Sequence, residues 1–148
     1  MSLSFRLGGE RKDFVEVHVL RREHPEATDY DDGNWLVARI GLDVGSFQGG
    51  YEASIRSVEL EGFLHHVRRL HQDLRGEAKF TTMEEQLRLH LTADGRGHVS
   101  VSGTAQDAAG TGNRLEFHLE VDQTHLTPLV TQLERVLEEF PVRGTPAA

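Results

Sequence analysis

Leu87-Arg88-Leu89-His90-Leu91-Thr92-Ala93-Asp94-Gly95-Arg96-Gly97-His98-Val99-Ser100-Val101 is the stretch that decides the fold class. Leu87, Leu89 and Leu91 alternate with Arg88, His90 and Thr92, the two-residue period of a strand with one buried and one wet face. Asp94-Gly95-Arg96-Gly97 is turn chemistry, and Val99 and Val101 resume the alternation beyond it. Such a hairpin belongs to antiparallel sheet, because strands buried in a parallel sheet read as unbroken apolar runs.

The same alternation extends outward from the hairpin. Toward the C-terminus, Leu115, Phe117, Leu119 and Val121 alternate with Glu116, His118 and Glu120. Toward the N-terminus, Val15, Val17 and Val19 mark a strand over 13–21, and Leu36, Ala38, Ile40 and Leu42 mark another over 35–44. Gly45-Ser46 turns the chain into a partner strand over 47–55, where Gly49-Gly50 predicts a bulge. Short strands at 3–7 and 78–82 bring the expected number to seven or eight.

Two segments switch to helical period. Leu60, Phe63, Leu64, Val67, Leu70 and Leu74 form one apolar stripe, with Ser57 as the expected N-cap and Gly76 as the expected residue past the C-cap. Leu126, Leu129, Val130, Leu133, Val136, Leu137 and Phe140 form a second stripe, with Pro128 in its first turn and Pro141 ending it. The expectation is an α+β fold, with mainly antiparallel sheet and two amphipathic helices on one face. The order strands, helix, strands, helix also reads as a diverged duplication, in which Asn34-Trp35-Leu36 answers Asn113-Arg114-Leu115. No composition shift marks a linker, so residues 1–148 read as one domain, with 142–148 as a frayed tail.

Composition narrows the chemistry. The 148 residues include no cysteine, which excludes disulfides, thiolate metal sites and cysteine nucleophiles and suits a reducing cytoplasm. No apolar run approaches the roughly 20 residues of a membrane span, and the first residues lack a signal-peptide pattern. The formal charge is −8, from 24 acids and 16 bases. Up to Arg75 the chain holds 10 bases and 13 acids, and beyond it 6 bases and 11 acids, so the excess is spread over both parts. Nucleic acid and anionic membrane both demand a basic footprint that is missing, whereas a basic protein partner would be steered favourably.

Candidate sites are few. His65, His66 and His71 share a helix but not a face, since metal-binding helices place histidines four apart. His18, His90 and His118 each fall on the wet side of their own strand and would make a metal or acid/base site if the strands were neighbours. Asp29-Tyr30-Asp31-Asp32-Gly33-Asn34 opens like a calcium loop but lacks its glycine and its final bidentate glutamate at the required spacing. These aspartates, with Glu23 and Glu26, read instead as an acidic surface loop suited to a protein partner. Trp35 beside it is either core or a binding anchor, with core favoured. Neither a phosphate loop nor a Gly-x-Ser-x-Gly elbow is present, no cofactor is implied, and no catalytic residue is assigned.

A further set of residues carries a resemblance. Trp35, Phe47 and Gly49-Gly50 are followed by Glu59-Leu60, Phe63, Ala78-x-Phe80 and Glu84. Then come Leu87-x-Leu89-x-Leu91, Gly97-x-Val99, Leu115-x-Phe117, Asp122-Gln123-Thr124-x-Leu126 and Leu137-x-x-Phe140-Pro141. Over Asn34 to Pro141 the chain resembles the WapI-type immunity proteins of bacteria. The resemblance implies a non-enzymatic protein that neutralises a nuclease-like toxin by binding it, and the basic charge usual in such toxins would meet the acidic balance here. Two alternatives stand beside it: a binding or regulatory module with no toxin partner, and a metal or acid/base site at the wet-face histidines. The oligomeric state is not readable.

Overall fold

The structure, a computed structural model, describes residues 3–147. Eight strands form two four-stranded antiparallel sheets. The first sheet holds β1 (Leu3–Gly8), β2 (Phe14–Arg22), β3 (Trp35–Val44) and β4 (Phe47–Arg56), hydrogen-bonded in chain order. The second holds β5 (Arg75–Phe80), β6 (Leu87–Asp94), β7 (His98–Gln106) and β8 (Arg114–Asp122), again in chain order. Helix α1 (Ser57–Asp73) follows the first sheet, and α2 (Leu126–Glu139) follows the second after a single 3-10 turn, Gln123–His125. The alternating strands and two apolar stripes thus produce the expected α+β fold.

Each helix packs beside the opening strand of a sheet: α1 against β5, α2 against β1, and the helices against each other. Their buried positions coincide when counted from Ser57 and from Gln123. Leu60 matches Leu126, Phe63 matches Leu129, Val67 matches Leu133, and Leu70 matches Val136, all eight buried. On the same count His66 matches Gln132, and both reach the outer edge of the strand beneath. Gln132 Oε1 accepts from the Arg6 N–H at 2.8 Å, and His66 Nδ1 lies 3.3–3.4 Å from the Lys79 carbonyl and N–H. The duplicated arrangement is therefore real in outline. The proposed match of Asn34-Trp35-Leu36 to Asn113-Arg114-Leu115 is wrong, because it pairs the third strand of one half with the fourth of the other.

One apolar cluster joins both sheets and both helices. At its centre Phe5 from β1, Phe80 from β5 and Phe63 from α1 meet, with ring centroids 5.2–6.2 Å apart in tilted and edge-on arrangements. No described helix is long and apolar enough to cross a membrane.

Three local expectations are corrected. The pairing of β3 with β4 runs unbroken through Gly49 and Gly50, and the irregularity lies on β2 between Val19 and Arg21. A Cβ at Gly49 would meet nothing within 4 Å, whereas one at Gly50 would fall 2.9 Å from the Arg39 guanidinium and push that side chain aside. Helix α1 is ended by Leu74, itself left-handed at φ 55°, while Gly76 lies within β5. Ser57 is not the cap residue: Arg56 occupies that position, and its N–H donates to Glu59 Oε1 at 2.8 Å.

Candidate functional site

The acidic stretch between β2 and β3 is a built loop. Asp29 holds it at the centre, its carboxylate accepting from the Asp32 N–H at 3.0 Å and its carbonyl from the Gly33 N–H at 2.9 Å. Only glycine fits at 33, where a Cβ would fall 2.5 Å from the Asp29 carbonyl oxygen. Beneath the loop, fully buried Asn34 donates from Nδ2 to the carbonyls of Tyr30 and Arg143 and accepts from the Arg143 N–H. Arg143 donates in turn to the carbonyls of Pro25 and Ala27, each at 2.8 Å. Arg22, 8% exposed, donates to the carbonyls of Gly33 and Pro141 and lies over the Phe140 ring. Burial, and then the charge of Arg143, pull the Arg22 guanidinium below the usual arginine range.

The chain after Pro141, expected to fray, is therefore tied to this loop through Arg143. Glu23, Glu26, Asp29, Asp31 and Asp32 are all exposed on it. The carboxylates of Glu26, Asp31 and Asp32 make no hydrogen bond or ion pair among the described residues, whereas Glu23 approaches His24 and Asp29 serves the turn. Sequence reading found these acids but missed Arg22, Asn34 and Arg143. A single arginine in a Pro/Gly-containing tail carries no periodic signal, and its partners are backbone carbonyls up to 118 positions away. Trp35 is half-buried, with the Arg56 guanidinium 5.6 Å from its ring centre.

The histidine cluster does not form. His18 lies on β2 in the first sheet and pairs with Glu16. His90 and His118 lie on β6 and β8 of the second, in one row with Ser102 between them. His90 Nε2 is 3.2 Å from Glu77 Oε1 but is not aligned for a hydrogen bond. Among the described residues no three histidines, aspartates or glutamates are grouped to hold a metal. A shallow depression of about 590 Å³ covers this row, lined by Lys79, Arg88, His90, Thr104, Glu116 and His118.

The resemblance motifs prove to be joints. Glu59, its side chain 5% exposed, binds the Arg56 side chain and accepts from the Met83 N–H at 2.7 Å, fastening α1 to the loop after β5. Asp122 accepts from the Thr124 N–H at 2.8 Å and from its hydroxyl, while His125 Nδ1 accepts from the Asp122 N–H, so this motif caps the 3-10 turn. These bonds, the Thr124 hydroxyl first, hold the Asp122 carboxyl below its ordinary range.

A family model described as Immunity protein WapI-like family matches residues 6–141, taking in both halves of the duplicated fold. No curated protein matches the chain. Three solved structures share its fold. Trypanosoma bruciei MRP1/MRP2 is 12% identical over 94% of this chain and 86% of that one, with a TM-score of 0.50. A guideRNA-binding protein complex bound to a gRNA is 11% identical over 93% and 91%, with a TM-score of 0.50. The plant transcriptional regulator PBF-2 is 12% identical over 95% and 82%, with a TM-score of 0.51.

Proposed function

The chain belongs to the WapI-like immunity protein family, and from that premise we propose that it neutralises a bacterial toxin in the cytoplasm by binding it directly, without catalysis, metal or cofactor. The family match across 6–141 carries this reading. The partner we propose is a basic, nuclease-like toxin domain. The net charge of −8 supports it, since complementary charge speeds encounter and disfavours wrong partners.

The loop from Glu23 to Asp32 is the proposed contact surface. Its backbone is held by Arg22, Asn34 and Arg143, so the loop backbone loses little conformational freedom on binding. One protein of similar fold is described as a guideRNA-binding complex. Nucleic acid is not proposed as a ligand here, because acids outnumber bases 24 to 16 and phosphate binding rests on Lys and Arg. A membrane surface is set aside for the same reason.

Titration calorimetry against the toxin domain encoded beside this chain tests the reading. Binding near nanomolar, about −12 kcal/mol, with loss of toxin activity is the expected result. Glu26→Gln, Asp31→Asn and Asp32→Asn combined, leaving Asp29 to hold its turn, should weaken binding roughly tenfold or more and flatten its salt dependence. Unchanged affinity of that variant at every salt concentration would remove the loop from the interface.

A further inference from the structure

Four strands lie at sheet edges, and three of them are met by a side chain from another part of the chain. Gln132 takes the Arg6 N–H on β1, His66 sits on the Lys79 backbone of β5, and Gln86 takes the Ser54 N–H and the Glu52 carbonyl on β4. Beyond Glu52, β4 runs into Gln48-Gly49-Gly50, whose glycines offer a partner no side chains to read. The fourth edge, β8, differs. The Gln123 N–H donates to the Gly97 carbonyl and the Asp107 N–H to the Asn113 carbonyl, at opposite ends of the β7–β8 pair. Both bonds fix the same phase, in which Leu115, Phe117, Leu119 and Val121 bond to β7 while Glu116, His118 and Glu120 turn N–H and C=O outward. Among the described residues nothing bonds to those outward groups.

An open edge is a template for another strand, and folded proteins ordinarily cover or disrupt it. The side chains on the wet face of β8 decide what could add to it. Arg114, Glu116, His118, Glu120 and Asp122 are all exposed there, three acids to one base. A second copy paired antiparallel about His118 would set Glu116 against Glu120 twice beside the two-fold, which opposes pairing, and Arg114 against Asp122 twice further out, which only offsets that repulsion. A strand carrying Lys or Arg at alternate positions would meet Glu116, Glu120 and Asp122 favourably. We propose that β8 receives an extended basic segment of the toxin, added to the second sheet through the backbone of Glu116, His118 and Glu120. This rests on the toxin-binding reading and adds a second contact to that of the acidic loop.

Amide hydrogen exchange on the free chain, and on its complex with the toxin domain encoded beside it, is the test. The amides of Glu116, His118 and Glu120 should exchange fast in the free chain and at least about tenfold more slowly in the complex. His118→Pro removes an outward N–H without touching the ladder and should weaken binding about tenfold or more. Glu116→Lys with Glu120→Lys keeps the backbone and should weaken binding as well, which decides the matter if the proline variant fails to fold. A tight complex in which these amides keep their free rates overturns the edge proposal and leaves toxin neutralisation standing. No binding by the parent chain overturns both. A parent dimer that His118→Pro converts to a monomer in sedimentation identifies a second copy as the occupant, and also overturns the basic segment.

Discussion

Ser57 shows how a residue of the right type can hold a different job. Serine at the start of an apolar helical stripe reads as an N-cap, yet here it is fully buried as the first helical residue and its hydroxyl has no hydrogen-bond partner among the described residues. A cap serine costs about 1 kcal/mol when replaced by alanine, whereas removing an unpaired buried hydroxyl costs nothing of that kind. Ser57→Ala should therefore leave stability within roughly 0.5 kcal/mol of the parent, or raise it, in denaturant unfolding. A loss of about 1 kcal/mol or more would restore the capping role. Asn34 is the opposite case. Its burial and its bonds to Tyr30 and Arg143 make it the pin between the acidic loop and the chain after α2.

Elements were legible where period alone decides them, and less so where they join. Five strands and both helices follow from alternation and stripes, but the 3-10 turn at Gln123–His125 does not, because capping residues do not reveal the backbone between them. Asp122 holds that turn, and its carboxyl sits below the ordinary range because Thr124 and then His125 favour the charged form. Asp94 does the same for the β6–β7 hairpin, lowered first by the Arg96 N–H. A carboxylate whose folded pKa is depressed adds stability above its unfolded pKa, and that stability is lost as pH falls through the folded value. Asp122→Ala should therefore be less stable than the parent at neutral pH, and the difference should shrink as pH falls below about 4. Unfolding curves at neutral and acid pH check this, and a gap that does not change with pH would contradict it.

At the scale of the whole molecule the two halves depend on one another. Phe5, Phe63 and Phe80 come from the first sheet, the first helix and the second sheet, and no half encloses that trio alone. Phe63→Ala should cost about 3–5 kcal/mol and loosen both sheets together. Fluorescence of the single tryptophan, Trp35 in β3, and far-UV circular dichroism should then report one shared transition, and separate midpoints would show independent halves. Sequence by itself determined the α+β class, the helix stripes, the acidic balance and the family motifs, and narrowed the strands to seven or eight. Each depends on neighbours within a few residues or on composition, and period and charge are local properties. Only the tertiary structure decided that His18 is parted from His90 and His118, that Arg22 and Arg143 brace the acidic loop, and that β8 is left open where β1, β4 and β5 are met by side chains. Those outcomes depend on which distant strands and side chains come together, and contacts across more than a hundred residues leave no trace in local pattern.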